Sequence, residues 1–335
     1  MLKKTRQATL IYNPLAGPAN LAGSMALIAD FWRTQDWQVE IKPTEAAGHA
    51  TELAREASTA GHHMVIAAGG DGTLGEVTNG LAGSPTIMAP LPAGTANSFA
   101  KELLMPRPGL LNRHRLLDAV DALAAGRVQG MDLGYTSNGG TGNGRYWLLW
   151  AGVGADGYLV DQMEPRPKWS KRIGPAGYML QGLFVLPRAP RFQAIITVDE
   201  QTFSGDYMLI LISNARRYVG GIVDLSPNAQ LDDGLFEVWL LAAGGVSRLA
   251  EYAVQAKWGD LAENAYVTKV NGRSIQITTE PSMPCQTDGD KSGSTPLSVQ
   301  VKPRALQLLV PSTAPLDMFC EPGMPLREWT VLSGQ

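Results

Sequence analysis

The stretch MVIAAGGDGTLGEV, Met64–Val77, decides the fold of the first part of this chain. Met64–Ala68 is an apolar run without alternation, the pattern of a strand buried on both faces of a parallel sheet. It runs straight into Gly69-Gly70-Asp71-Gly72-Thr73, and a helical pattern follows over Thr73–Leu81, stopped by Gly83 and Pro85. Glycines let the backbone approach a ligand closely. A helix start presents N–H groups without intrahelical partners, which favour an anion. Strand, glycine turn and helix together make a phosphate cradle. Gly69, Gly70, Asp71, Gly72, Thr73, Leu74, Gly75 and Glu76 lie in it.

The same rhythm extends on both sides. Strands are predicted at Ala8–Asn13, Gln38–Lys42 and Thr86–Leu91. Helices are predicted at Leu21–Arg33, His49–Ala60, Ala96–Leu104 and Arg113–Ala125. Short apolar runs alternating with helical patterns predict βαβ units around a parallel sheet. From Gln129 onward the pattern changes to strands and glycine-rich turns. Strands are predicted at Arg145–Val153, Phe192–Val198, Thr202–Asn214, Gly234–Ala242, Ser274–Thr279, Leu297–Val301 and Ala305–Val310. Helical pattern there is confined to Tyr178–Leu186 and Ser247–Trp258. The expected architecture is an α/β nucleotide-binding domain over residues 1–130 and an all-β sandwich over 131–311. The tail 312–335 has no clear period, and packing back on the first domain is one option the sequence leaves open.

Bulk properties narrow the function classes. Of the 335 residues, 44% are hydrophobic and 18% charged, an ordinary globular balance. The net charge of −3 supplies no field that would draw the chain to nucleic acid. Two distant cysteines, Cys285 and Cys320, argue for a reducing, cytoplasmic setting rather than a disulfide framework. The apolar run Ala8–Tyr12 is too short for a secretion signal. No window reaches the roughly 20 apolar residues of a spanning helix, so any membrane contact is expected to be peripheral. The segment Pro165–Arg191 interleaves Arg166, Lys168, Lys171, Arg172, Arg188 and Arg191 with Trp169, Tyr178 and Phe184. That composition suits the inner face of an anionic membrane, and it suits an amphipathic helix packed on the sandwich equally well. Oligomeric state stays open, a homodimer included.

Gly70-x-Gly72-x-x-Gly75 matches the dinucleotide fingerprint, as does Gly152-x-Gly154-x-x-Gly157. That fingerprint also needs an acid about 20 residues on to hold a ribose hydroxyl. The sequence there reads LPAGT and PAGY, so neither match is completed. No Gly-Lys-Ser/Thr follows a glycine loop, and no HRD or DFG element occurs, which excludes the P-loop and protein-kinase patterns.

Two further elements fall at strand ends. PLPAGTANSF places Gly94, Thr95 and Asn97 between a strand and a helix, with Thr95 able to cap the helix and Asn97 adding an amide. Tyr12–Gly17 places Asn13 and Gly17 at the end of the first strand. Three such turns share the carboxyl edge of one sheet, where α/β folds bind ligands. Asp71 is the only acid in the main loop. An acid beside phosphates calls for a cation between them, or else it caps its own helix. Asp288 and Asp290 flank Gly289. On a continuing strand both carboxylates would share a face, one handling the substrate proton and the other a metal. As an Asp-Gly turn they would not. The histidines show no ligand spacing.

In this order the motifs resemble the diacylglycerol kinase catalytic family, which includes bacterial lipid kinases and the sphingosine and ceramide kinases. Those motifs are Asn13-Pro14 with Gly17; GGDGT with Glu76 and Asn79-Gly80; GTAN with Phe99-Ala100; Met131-Asp132-Leu133-Gly134; Ala151–Asp156; Ser213-Asn214; Gly220-Gly221; Leu231–Leu235; and Asp288-Gly289-Asp290. GGDGT alone is shared with NAD kinases and 6-phosphofructokinases. The resemblance implies Mg²⁺-dependent transfer of the γ-phosphoryl of ATP to a lipid hydroxyl. It implies that Thr44, Gly69–Gly75 and Thr95 bind ATP. It assigns a structural Mg²⁺ to the carbonyls of Gln230 and Leu235 with the Asp233 carboxylate, and the proton-acceptor position to Asp290. The chain departs from the family pattern at Asp290, where Glu is typical, at Ser98, where Asp is frequent, and at Gly75, where Asn is common. The Ser98 departure bears on a Mg²⁺-linked acidic network of Asp71 and Asp132. An NAD kinase, or a binding protein without turnover, stands as the alternative.

Overall fold

The computed structural model describes residues 6–16, 21–107, 115–138, 144–163, 190–221 and 223–332. The chain divides into two compact units, Met1–Asp132 with Pro303–Gln335, and Leu133–Lys302.

The first unit begins β1 (Arg6–Tyr12), α1 (Leu21–Thr34), β2 (Trp37–Pro43), α2 (His49–Thr59), β3 (Met64–Gly69), α3 (Asp71–Leu81), β4 (Ile87–Pro92), α4 (Ser98–Glu102) and α5 (Arg115–Ala124). The strands lie in the order β2-β1-β3-β4, all parallel, with Leu10 opposite both Ile41 and Ile66. Every residue of β3 and β4 is buried, which is why both read as unbroken apolar runs. Met25, Ile28, Ala29 and Trp32 give α1 a single buried stripe at helical spacing. Helices α2 and α3 approach closely at Gly80, where an added Cβ would lie 2.5 Å from the Thr51 carbonyl oxygen. Because the strands are parallel, their carboxyl ends at Tyr12, Pro43, Gly69 and Pro92 share one edge.

Strand β5 (Arg127–Asn138) carries the chain into the second unit, and β6 (Arg145–Trp147) returns against it. There follow β7 (Trp150–Gly154), α6 (Ala155–Met163), β8 (Phe192–Val198), β9 (Gln201–Ser213), β10 (Arg217–Tyr218), β11 (Val223–Asp224), β12 (Phe236–Ala242), α7 (Val246–Trp258), β13 (Val267–Gly272), β14 (Ser274–Glu280), β15 (Pro284–Thr287) and β16 (Asp290–Ser294). Strand pairs inside this unit are antiparallel. The first half of β9 pairs with β8, and its second half lies between β7 and β12. The core gathers Trp147, Phe192, Ile210, Phe236, Ile277 and Val299. Trp147 is fully buried against Phe236, its indole N–H donating to Thr136 Oγ1 at 2.7 Å. Gly134 opposite it must be glycine, since a Cβ would sit 1.9 Å from the ring. Truncating Trp147 would cost about 3–5 kcal/mol.

Strand β17 (Leu297–Val310) leads back to the first unit, where its end extends the parallel sheet with Leu308 opposite Met88. The tail then forms β18 (Met324–Pro325), paired with β5, and α8 (Leu326–Leu332). Those elements are too short to show a period. The architecture is the α/β parallel sheet and β-sandwich that the sequence pattern predicts. The Tyr178–Leu186 helix and most of the Pro165–Arg191 basic-aromatic segment lie outside the described residues. Among the described residues, no helix is long and apolar enough to cross a membrane.

Candidate active site

At the carboxyl edge of the parallel sheet, the two main glycine loops touch backbone to backbone. A Cβ on Gly94 would lie 2.3 Å from Gly70 Cα, so no larger residue fits between them. Gly94 N–H donates to Gly69 O at 3.1 Å and to Asn97 Oδ1 at 3.0 Å. Asn97 closes the loop by donating Nδ2–H to Gly94 O at 2.8 Å, from a left-handed backbone with φ of 49°. Its amide is therefore turned onto its own loop, with one bond at each end.

Asp71 joins these loops. Its Oδ2 accepts from Ser98 N–H at 3.0 Å and its Oδ1 from Phe99 N–H at 3.1 Å, so it caps α4 from a different helix. The expectation that Thr95 caps this helix is corrected: the side chain of the N-cap residue, Asn97, makes no cap bond, and Asp71 supplies the acceptors. Nor does Asp71 cap its own helix. The N-cap of α3 is Gly70, with no side chain closing the first turn. The Asp132 carboxylate is fully buried and accepts from Arg304 N–H at 2.7 Å.

Other sequence-selected residues divide between the edge and the interior. Asn13 and Thr44 stand at the edge, held by Asn13 N–H to Ala68 O and Thr44 N–H to Tyr12 O. Asn13 Oδ1 accepts from Leu15 N–H at 2.9 Å, an Asx turn. Gly17 lies outside the described residues. Thr73, Leu74 and Gly75 are buried, Thr73 seated against Gly69. Glu76 accepts from Ala50 N–H at 3.1 Å, capping α2. Lys101 of α4 has a lowered pKa, set first by burial and then by Arg107, with Asp71 pulling the other way.

In the second unit, the chain reverses at Asp288 and Gly289, with φ of 50° and 86°. Thr287 pairs with Asp290 across this two-residue hairpin. The expectation of one continuing strand with Asp288 and Asp290 on a shared face is thereby corrected. Left-handed backbone at both turn positions replaces strand geometry. The Asp288 carboxylate turns inward and accepts from Leu148, Leu149 and Trp150 N–H at 2.7, 2.8 and 3.2 Å. Burial pushes its pKa up to about 6, against the pull of those three donors and of Arg145. Asp290 is half-exposed and paired with Arg145 Nη2 at 2.6 Å. Arg145 was not legible in the sequence, being an isolated residue beside a glycine loop.

The loop Gln230–Leu235 turns at Gly234 with φ of 75°. Asp233 Oδ1 accepts from Leu235 N–H at 2.9 Å. Burial, followed by the like charges of Asp232 and Glu237, raises the Asp233 pKa. Among the described residues, no three His, Cys, Asp or Glu side chains converge. Asp233 offers hard carboxylate oxygen, and its repulsion by Asp232 and Glu237 is negative charge that a cation would relieve. That chemistry fits a hard ion such as Mg²⁺.

The second dinucleotide-like fingerprint has a packing explanation. A Cβ on Gly152 would lie 2.2 Å from Asp156 Oδ2, and one on Gly157 would lie 2.0 Å from Pro284 O. Gly154 has φ of 90°. Its strand lies between antiparallel neighbours, so this is not a βαβ unit.

The diacylglycerol kinase catalytic domain profile matches residues 7–136. The profile of the YegS C-terminal NAD kinase beta sandwich-like domain matches residues 152–310. The chain belongs to the diacylglycerol kinase catalytic-domain family. This family of lipid kinases is represented by a diacylglycerol kinase of Bacillus subtilis, 29% identical over 294 residues, which cover 87% of this chain and 92% of that one. A diacylglycerol kinase of Staphylococcus epidermidis is 27% identical over 319 residues, 94% of each chain. The crystal structure of a diacylglycerol kinase from Bacillus anthracis superposes with a TM-score of 0.70 at 24% identity. It covers 92% of this kinase and 98% of that chain, a likeness of fold.

Proposed function

We propose that this kinase transfers the γ-phosphoryl of ATP to the hydroxyl of a diacylglycerol-like lipid, with Mg²⁺. The observation that carries the reading is the junction of the two glycine loops, where Gly70 meets Gly94 and Asp71 ties both together. Such a junction brings backbone donors from two strand ends to one edge, and α3 opens at a glycine without a side-chain cap. Phosphoryl transfer depends mainly on positioning and charge neutralisation, so a rigid bed of backbone N–H groups is the equipment it needs. Asn13, Thr44 and Thr95 border that edge.

The acceptor hydroxyl bonds to the γ-phosphorus as the bond from phosphorus to the β-bridging oxygen breaks, and ADP leaves. Asp290 takes the hydroxyl proton, and Arg145 holds its carboxylate in place. Asp288 does not share that work: its oxygens hold the Leu148–Trp150 backbone and thereby the hairpin. Gln230, Asp233 and Leu235 would hold a structural Mg²⁺, which would supply positive charge against Asp232, Asp233 and Glu237.

The test is a labelled-phosphate assay with Mg²⁺-ATP against diacylglycerol, phosphatidylglycerol, a sphingoid base and a polyprenol, with NAD alongside. Transfer to a lipid is expected. Phosphorylation of NAD, or no transfer to any lipid despite intact ATP binding, refutes the reading.

A further inference from the structure

Asp156, in the first turn of α6, has no role in the chemistry above. Its carboxylate accepts from Gln286 Nε2 at 2.5 Å and from the Tyr218 hydroxyl. The other end of the same amide, Gln286 Oε1, accepts from Gly289 N–H at 2.7 Å. Gly289 immediately precedes Asp290. Gln286 is 1% exposed, so its amide has one satisfied orientation, with oxygen toward Gly289 and nitrogen toward a fixed acceptor.

The surroundings are fitted to this chain of bonds. Gly152 leaves the space that Asp156 Oδ2 and Gln286 Nε2 occupy, since a Cβ would lie 2.2 and 2.9 Å from them. Gly157 lets α6 lie against the Pro284 carbonyl of β15. Lys291, next after Asp290, pairs with Asp161 of the same helix at 2.9 Å. Placing a part-buried ionisable group behind a turn is a poor way to gain stability, because well-packed apolar side chains would do as well or better. What the bonds supply is a definite position for the turn.

We propose that Asp156 and Gln286 are positioning residues for phosphoryl transfer. The chain Tyr218–Asp156–Gln286–Gly289 sets where the Asp290 carboxylate stands against the acceptor hydroxyl. The proposal rests on the reading of Asp290 as proton acceptor. A displacement of about 1 Å at a reacting group costs up to about 100-fold in rate.

The experiment measures kcat, the KM for ATP, Tm and pH profiles on the full chain, with diacylglycerol as acceptor. Gln286→Ala and Asp156→Ala are expected to lower kcat about 10–100-fold with the KM for ATP within about twofold. Their double variant should fall no further than the worse single variant, as members of one chain of bonds do. Asp156→Asn keeps an acceptor for Gln286 and should recover part of what Asp156→Ala loses. Gln286→Glu faces two carboxylates across one hydrogen bond, and they can share a proton only at lower pH. Its kcat, relative to wild type, should rise as pH falls from about 8 to about 6. The nearby cations Arg145 and Lys291 are already paired with Asp290 and Asp161. Asp156→Asn keeps the outline of the side chain and an acceptor for Gln286, so its kcat reads a folded protein even if Gln286→Ala unfolds, and Tm is measured beside kcat for every variant. Asp290→Asn separates the two readings. If it is inactive while Gln286→Ala and Asp156→Ala turn over at the wild-type rate, the positioning role is overturned and Asp290 stands. If Asp290→Asn itself turns over normally, the reading of Asp290 falls, and the positioning role with it.

Discussion

Replacing Asp71 with asparagine keeps the outline of the side chain and removes one acceptor. Each Asp71 oxygen now takes one α4 N–H, at 3.0 and 3.1 Å. Asparagine can satisfy one of them, and its NH₂ then faces the other donor. A hydrogen bond to a charged group contributes about 1.5–3 kcal/mol, and loss of a helix cap costs about 0.5–2 kcal/mol. Asp71 is part-exposed, so the lower figures apply, and Asp71→Asn should cost about 1–2 kcal/mol. For a unit of this size that is roughly a 2–8 °C drop in Tm. The same bonds hold the Gly94 loop beside Gly70, so nucleotide affinity should weaken by at most about 5–30-fold, the equivalent of that energy. Thermal melts and nucleotide titration of the variant read both quantities. If Tm and nucleotide Kd match wild type while kcat collapses, Asp71 works on a cation at the reacting phosphate, and the capping argument is refuted.

Gly94→Ala places a Cβ 2.3 Å from Gly70 Cα, backbone against backbone. It should destabilise the first unit by about 1–3 kcal/mol and raise the KM for ATP, read by melting and steady-state kinetics. Arg145→Ala removes a part-exposed ion pair, so Tm should hold within about 2 °C. kcat should nevertheless fall several-fold, because Asp290 loses its tether. Burial raises the Asp156 pKa to about 6, above the ordinary carboxylate value. The folded chain therefore keeps a proton that the unfolded chain releases, a contribution complete below about pH 4 and lost as pH rises through about 6. Asp156→Asn has no charge to bury, so its Tm relative to wild type should be higher at pH 7.5 than at pH 4.

The parallel sheet was readable because β3 and β4 are buried at every residue, and nothing local competes with that pattern. The cradle was readable for the same reason: a glycine run between a buried strand and a helix has few other uses. What stayed hidden involves partners distant in sequence. Asp71 carries no mark showing that it caps α4, because its acceptors meet N–H groups 27 and 28 residues away. Asp288-Gly289-Asp290 allowed both a strand and a turn, and pairing of Thr287 with Asp290 decided it, together with three N–H donors from Leu148–Trp150. Arg145 is a single residue with no spacing to betray it. The second GxGxxG shows the converse, a letter-perfect motif whose glycines make room for Asp156 and for Pro284. Glycine spacing thus reports that backbone or side chains come close, without saying to what. In β3–α3 the close approach is to the Gly94 loop at a sheet edge; in β7–α6 it is to a part-buried carboxylate and a neighbouring strand. Only the elements that surround each glycine separate a ligand cradle from a packing joint.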